Sequence, residues 1–335
     1  MTRRRLPVWE PSDIQMRQWP AVSGNTINGV GEPTPRRPSP IYWHPPDSIP
    51  HGPLQLWFYE RTSDAGEALA EARRERQSVI DEPLVPIAEH ASELTAKEWT
   101  AEVKGVAIGC GADDVGITLM QPEYVFEGHA VPPQRWMIVI AVKQSYEAMT
   151  KAPSAESLVE ITRQYARGTR VAKAIANWLR ARGHDAFPYG GPMAGSFLLI
   201  PAAIKAGLGE LGKHGSMLHR DLGSNFRLAC VLTNVPLVGD APEAFGGDDF
   251  CLNCRICADA CPPDAIKHEK TLIRGELRWY VDFDKCLPYF NEAFSCAICL
   301  AACPFSRPDV GPRLIEKLAA RRGRDDGSPG SPSLS

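Results

Sequence analysis

The chain has 335 residues, 44% hydrophobic and 23% charged, with a net charge of -3. That length can bury one large core or two modest ones, and the composition is that of an ordinary globular protein. The mild acidity comes with no basic block beyond the N-terminal "RRR", so no nucleic-acid partner is implied, and a small substrate or a protein redox partner fits better.

The opening "MTRRRLPVWEPSD" carries arginines of the kind that begin an export signal, but the stretch behind them is broken by Pro7, Glu10, Pro11, Asp13 and Arg17. No apolar run approaches the length of a membrane span. The expectation is a cytoplasmic protein with no membrane partner, in which thiols stay reduced and ten cysteines point to metal rather than disulfides. Residues 1–90 read as a Pro-rich N-terminal extension. Up to about residue 60 it is irregular coil over the surface of the core; one short charged helix follows in "SDAGEALAEARRERQSVI", then a linker through Pro83 and Pro86.

Residues 91–245 are more regular. A helix ("ELTAKEWTAEVKGVAIGCG"), a strand ("DVGITLM") and an apolar β run ("RWMIVIAVK") predict α/β layers. Ser154 is placed to cap a long helix whose apolar stripe runs Leu158, Ile161, Tyr165, Ala172 and Leu179 and which stops by Gly183. Tyr165 therefore faces inward, and the pattern alone makes it a core aromatic. Next come a loop ("DAFPYGGPMAG"), a buried helix ("FLLIPAAIKAG"), a glycine turn ("LGELGKHGS") and a strand ("FRLACVLTNVPLV"). In that strand Arg227, between Phe226 and Leu228, is either an unusual core residue or a strand end next to solvent. Cys110 and Cys230 fall in apolar helix and strand patterns and read as inert buried thiols.

From about residue 246 to 312 the cysteines take over. Cys251-x-x-Cys254-x-x-Cys257-x-x-x-Cys261-Pro262 is the bacterial ferredoxin spacing for a 4Fe–4S cluster, and Cys296-x-x-Cys299-x-x-x-Cys303-Pro304 nearly repeats it, with Cys286 upstream. Three closely spaced thiolates wrap one cubane, and the fourth is carried away to the other. The ligand sets are then Cys251, Cys254, Cys257 and Cys303 for one cluster, and Cys261, Cys286, Cys296 and Cys299 for the other. A structural zinc site also uses paired C-x-x-C, but it needs only four thiols. Residues 313–335 read as a tail that ends disordered in "GRDDGSPGSPSLS". No G-x-G-x-x-G opens a helix after a strand, so a nucleotide site upstream has little support.

"VKGVAIGCGADDVGITLM", "VKQSYEAMTKAPSAES", "IKAGLGELGKHGSMLHRDLGSNFRLACVLTNVPL" and "FCLNCRICADACPPDAI" resemble, in that order, the cobalamin-dependent reductive dehalogenases, over about residues 90–310. The resemblance implies an α/β (α+β) fold: a nitroreductase-like domain over 91–245 holding a base-off cobalamin, and a C-terminal ferredoxin-like domain with two 4Fe–4S clusters. It implies reductive cleavage of a carbon–halogen bond in a small, aromatic organohalide, with electrons from an external donor such as ferredoxin or flavodoxin. It makes Tyr165 the proton donor to the substrate carbon and Arg227 the cation that steadies the phenolate or holds a departing halide or a carboxylate. Tyr189 would line the cofactor pocket. Where respiratory members often carry a loop asparagine, this chain has Gly191 or its neighbours. The family's glycine turn maps onto Gly207, Gly209, Gly212, Lys213, His214 and Gly215, with Lys213 placed to meet the cofactor's phosphate; a plain helix-to-strand turn is the competing reading. Epoxyqueuosine reductases share the architecture, so a tRNA-modifying reductase is one alternative, and a dicluster electron-transfer protein without a corrinoid is another.

Overall fold

Strand Trp136–Lys143 runs antiparallel between Asp114–Leu119 and Phe226–Thr233, and Ala186–Gly190 pairs on the far side of the latter, closing a four-stranded sheet in the computed structural model, which describes residues 7–192 and 195–325. Successive side chains of the central strand go to opposite faces. Ile138, Ile140 and Val142 pack with helices Ala96–Gly109 and Ala155–Arg180; Met137, Val139 and Ala141 pack with helix Leu199–Lys205, Tyr124 and Phe197. Covering on both faces is why the strand reads as an unbroken apolar run rather than an alternating one. The result is the expected α/β class.

Each of the two helices on the first face is started by a capping box, Thr95 with Glu98 and Ser154 with Ser157. Loss of such a cap costs about 1 kcal/mol. The 26-residue helix Ala155–Arg180 buries Leu158, Ile161, Ala172 and Leu179 as its stripe requires. Tyr165 is only partly buried.

Several expectations need correction. "DAFPYGGPMAG" is not all loop, because Ala186–Gly190 pairs with residues 229–233. Pro188 has no N–H to give, which disguises the strand, but at the edge of a sheet no second partner is needed. The glycine turn is a β-hairpin, Glu210–Leu211 against Met217–Leu218. Gly209 has φ +153°, and a Cβ there would lie 2.1 Å from the carbonyl oxygen of Leu218, so only glycine fits. Cys230 is buried, whereas Cys110 caps the end of its helix and is exposed. Helix Val310–Asp325 crosses the expected boundary at 312; the rest of the tail lies outside the described residues.

The N-terminal extension is more than irregular coil. It forms helices Asp13–Arg17, Gly24–Ile27, Gly52–Arg61 and Glu67–Asp81, and up to residue 61 it acts as a belt across the cysteine-bearing segment. Gln15 donates to the Pro288 carbonyl at 2.7 Å, Asn25 to Asp282 at 2.9 Å, Asn28 to the Tyr280 hydroxyl at 3.0 Å and Trp57 to Glu292 at 3.0 Å, while Val30 bridges to Ile273. Among the described residues no helix is long and apolar enough to cross a membrane.

Candidate functional site

Cys251, Cys254, Cys257 and Cys303 line one small cavity. Cys261, Cys286, Cys296 and Cys299 all open onto a second, much larger one of about 1290 Å³. The chain thus brings together the two sets that the spacing assigned. Short helices Gly247–Asn253, Ile256–Asp259, Phe283–Glu292 and Ile298–Ala302 carry or flank these cysteines. Burial pushes the thiols of Cys251, Cys257 and Cys286 up to about 12 and that of Cys296 up to about 11. Bare thiolates would not persist there at neutral pH, which argues against reactive nucleophiles at these positions. Among the described residues no three such side chains converge on a point as a single metal ion requires; the cysteines frame spaces that suit a cluster with corners.

The loop into Cys296 is strained. Phe294, Ser295, Cys296 and Ala297 all have positive φ, between 46° and 70°. A left-handed stretch of non-glycine residues costs roughly 1–2 kcal/mol per residue. Strain of this kind is tolerated where the surroundings hold a functional loop in place.

The glycine hairpin lies between the two cysteine sets. His214 lines both cavities, and Gly215 lines the larger. The Ser216 N–H donates to His214 Nδ1 at 3.2 Å, so Nε2 carries the proton and donates to Ser224 Oγ at 2.8 Å; the Ser224 hydroxyl in turn donates to Cys303. Burial pushes His214 down to about 4, which keeps it neutral. Gly207, Gly209 and Gly212 are packing positions and do not line the large cavity. Lys213 is not placed to meet a phosphate there: it is 1% exposed, lines the smaller cavity, and donates from Nζ to the Cys254 carbonyl at 2.9 Å. Lys213 lies in the turn between the two strands, and that turn carries it to the side of the first cysteine set.

Tyr165 and Arg227 do meet. The Arg227 guanidinium carbon is 5.5 Å from the centre of the Tyr165 ring, its Nη1 donates to the Phe226 carbonyl at 2.9 Å, and its Nε is buried with no hydrogen-bond partner. Both amide atoms of buried Asn225, two residues earlier, also lack partners. Neither Tyr165 nor Arg227 lies on the wall of the large cavity. The segment carrying Cys296 and Cys299 links the two places: Ala297 clusters with Met149 and Ile161, with Tyr165 and Leu300 packed against them, while Cys296, Ile298 and Cys299 line the cavity. Tyr189 stands off that wall too, edge-on to Phe197 at 5.0 Å.

Arg76 escaped the sequence reading, and Gly191 entered it only as the place of a loop asparagine. Arg76, on helix Glu67–Asp81, donates to the Gly191 carbonyl at 3.1 Å, feels the charge of Tyr165, and is pushed down by burial. Gly191 presses on the phenol, since a Cβ there would come within 2.3 Å of the Tyr165 ring. In "EARRERQ" nothing distinguishes the arginine that turns inward.

Residues 250–306 match the family model of a 4Fe–4S dicluster domain. A tetrachloroethene reductive dehalogenase of Desulfitobacterium hafniense is 28% identical over 298 residues, covering 80% of this chain and 52% of that protein. An epoxyqueuosine reductase of Cyclobacterium marinum is 34% identical over 122 residues, covering 31% of this chain and 36% of that protein. A solved catabolic reductive dehalogenase in complex with 3-bromo-4-hydroxybenzoic acid shares the fold, with a TM-score of 0.67 at 24% identity over 93% of this chain and 49% of that one. The chain spans about half the length of the curated relatives it matches.

Proposed function

The chain is related in sequence and fold to the reductive dehalogenases, and on that premise we propose that it is a cobalamin- and iron–sulfur-dependent oxidoreductase that removes halide from a small aromatic organohalide. The observation that carries this reading is that the second cysteine set opens onto a cavity of about 1290 Å³. Typical small-molecule pockets are about 300–1000 Å³, so this one has room for a macrocycle beside a cluster. The cavity wall is largely apolar, with Leu198, Ile200, Pro201, Ile204 and Ile298 on it. A corrinoid bound there would supply the low-valent metal centre at which a carbon–halogen bond is reductively broken.

The protein's own residues account for the rest. Each turnover takes two electrons and one proton, and releases one halide. Electrons from an external one-electron donor such as ferredoxin or flavodoxin enter at the first cluster and pass to the second. Tyr165, packed on the segment that carries Cys296 and Cys299 rather than on the cavity wall, is the proton donor of this reading, and Arg227 with the more distant charge of Arg76 stabilises the phenolate until it is reprotonated. The unpartnered Arg227 Nε and Asn225 amide suit a phenolic oxygen or carboxylate on the substrate. The reading as an epoxyqueuosine reductase is less favoured, because that likeness covers 31% of the chain against 80%.

The test is anaerobic loading of the full chain with iron, sulfide and cobalamin, followed by halide release from bromophenols and brominated hydroxybenzoates with a reduced ferredoxin as donor. Stoichiometric corrinoid binding and halide release are expected. Clusters without any cobalamin affinity would overturn the enzyme reading in favour of plain electron transfer.

A further inference from the structure

Lys213 is a buried cation without a carboxylate. It is 1% exposed, and among the described residues its ammonium has the Cys254 carbonyl at 2.9 Å and the face of Trp279 at 4.8 Å, but no acidic group within ion-pair distance. Lys270, whose ammonium lies 5.5 Å from the same ring, is partly exposed and paired with Asp248 at 2.6 Å. A lone charge taken out of water is expensive unless an opposite charge stands beside it. The candidate is on the page: Lys213 lines the cavity framed by Cys251, Cys254, Cys257 and Cys303, its own N–H donates to Cys251 Sγ at 3.4 Å, and its charge reaches Cys251 and Cys257. Four thiolates around a 4Fe–4S core carry net negative charge, and that charge grows by one unit on reduction.

The second set has different surroundings. Asp264 acts on Cys261 and Asp282 on Cys286, and the nearest cation, Lys285, is exposed and turned to the Asp264 carbonyl at 3.4 Å. Both sets accept hydrogen bonds at sulfur, Cys303 from Ser224, Phe305 and Ser306, and Cys261 from Ala265 and Ile266. Hydrogen bonding therefore does not separate them. The ammonium does.

We propose that Lys213 is the built-in counter-ion of the first cluster and holds its reduction potential above that of the second. The inference rests on the two-cluster reading and adds to it an order of filling. One electron leaves a reduced ferredoxin-type donor and enters the first cluster, whose added negative charge the ammonium stabilises with no proton transferred. A second electron then passes through the first cluster to the second, which discharges toward the large cavity while the donor refills the first.

The experiment is an EPR-monitored redox titration of the loaded full chain, with the first cluster's signal assigned by its loss in Cys254→Ala. In the wild type the first cluster should be reduced at the higher potential. Lys213→Gln should lower its reduced-to-oxidised ratio at a fixed poise about tenfold, or about 59 mV for a one-electron couple, and leave the second cluster unmoved. Lys213→Met, which lacks any hydrogen bond to Cys254, should do the same, and Lys270→Gln should do neither. A wild type in which the second cluster is the first to be reduced overturns the inference, as does an unmoved first cluster in both Lys213 variants. Iron and acid-labile sulfide are counted on the same samples: a wild type without about eight of each overturns the two-cluster reading itself.

Discussion

Arg227 holds its guanidinium carbon 5.5 Å from the centre of the Tyr165 ring, and Arg76 reaches the same phenol's neighbour, the Gly191 carbonyl, at 3.1 Å. The proposed proton-donor role of Tyr165 rests on this pairing. Tyr165→Phe keeps the ring and removes the proton, so turnover should fall about a hundredfold or more with clusters and corrinoid retained. Arg227→Ala should also impair turnover, and Arg76→Met, which removes a charged hydrogen bond, should cost at least about tenfold. Tyr146, the other candidate tyrosine in "QSYEAM", opens helix Tyr146–Met149, and Tyr146→Phe should be mild. Halide release and corrinoid content measured on all four variants check this; full activity in Tyr165→Phe with loss in Tyr146→Phe would move the donor to the other tyrosine.

Gly191 sets the position of that ring by contact alone. In Gly191→Ala the new methyl would lie 2.3 Å from Tyr165 Cε1, so either the ring or the loop must shift. Overpacking of this kind costs about 1–3 kcal/mol. The expected result is a less stable protein with intact iron content and depressed turnover. Adding Tyr165→Ala should recover part of the lost stability, a non-additivity that unfolding measurements on the double variant would reveal.

Cluster content separates the ten cysteines. Cys254→Ala removes one ligand from the smaller cavity and should lower iron and sulfide from about eight each toward about four. Cys110→Ala, at an exposed helix end, should leave both clusters whole. Equal loss from the two variants would refute the ligand sets.

Asp114 accepts a hydrogen bond from His219 at 2.9 Å. Burial works to raise its carboxyl, but the bonds from His219 and the Val115 N–H outweigh that and hold it below the usual range. A depressed carboxylate adds stability above its unfolded pKa, near ~3.9, and loses it as pH falls through the folded value. Asp114→Asn should therefore reduce stability at neutral pH, by under about 1 kcal/mol because the side chain is partly exposed, and the deficit should shrink as pH falls below the unfolded value. Paired thermal unfolding of variant and wild type at matched pH would show it.

Features that depend on local spacing were legible. The capped start at Ser154, the central apolar strand and the cysteine sets are patterns within a few turns of chain, and they appear where the spacing places them. What sequence could not reveal depends on which way a side chain turns after the chain has folded back on itself. Pro188 hid an edge strand, since a residue without an N–H reads as a break unless the sheet's edge is known. Arg76 looked like its solvated neighbours until helix Glu67–Asp81 packed on the long helix. Lys213 pointed to a phosphate only by analogy, and the turn between the two hairpin strands carries it to the Cys254 carbonyl instead.

The belt has a consequence for how the molecule is made. Asn28, Pro35, Arg36 and Pro38 form part of the wall of the large cavity, yet the belt is fastened by Tyr280, Asp282, Pro288 and Glu292, with as many as 273 positions between bonded partners. On a ribosome adding roughly 5–20 residues per second, the belt waits on the order of ten seconds to a minute for its anchors. Throughout that interval the chamber is open on several sides, since residues from Thr118 to Cys299 also line it. A segment made well before its anchors is thus among the last to be fastened, a latch drawn across the chamber after its other walls are in place.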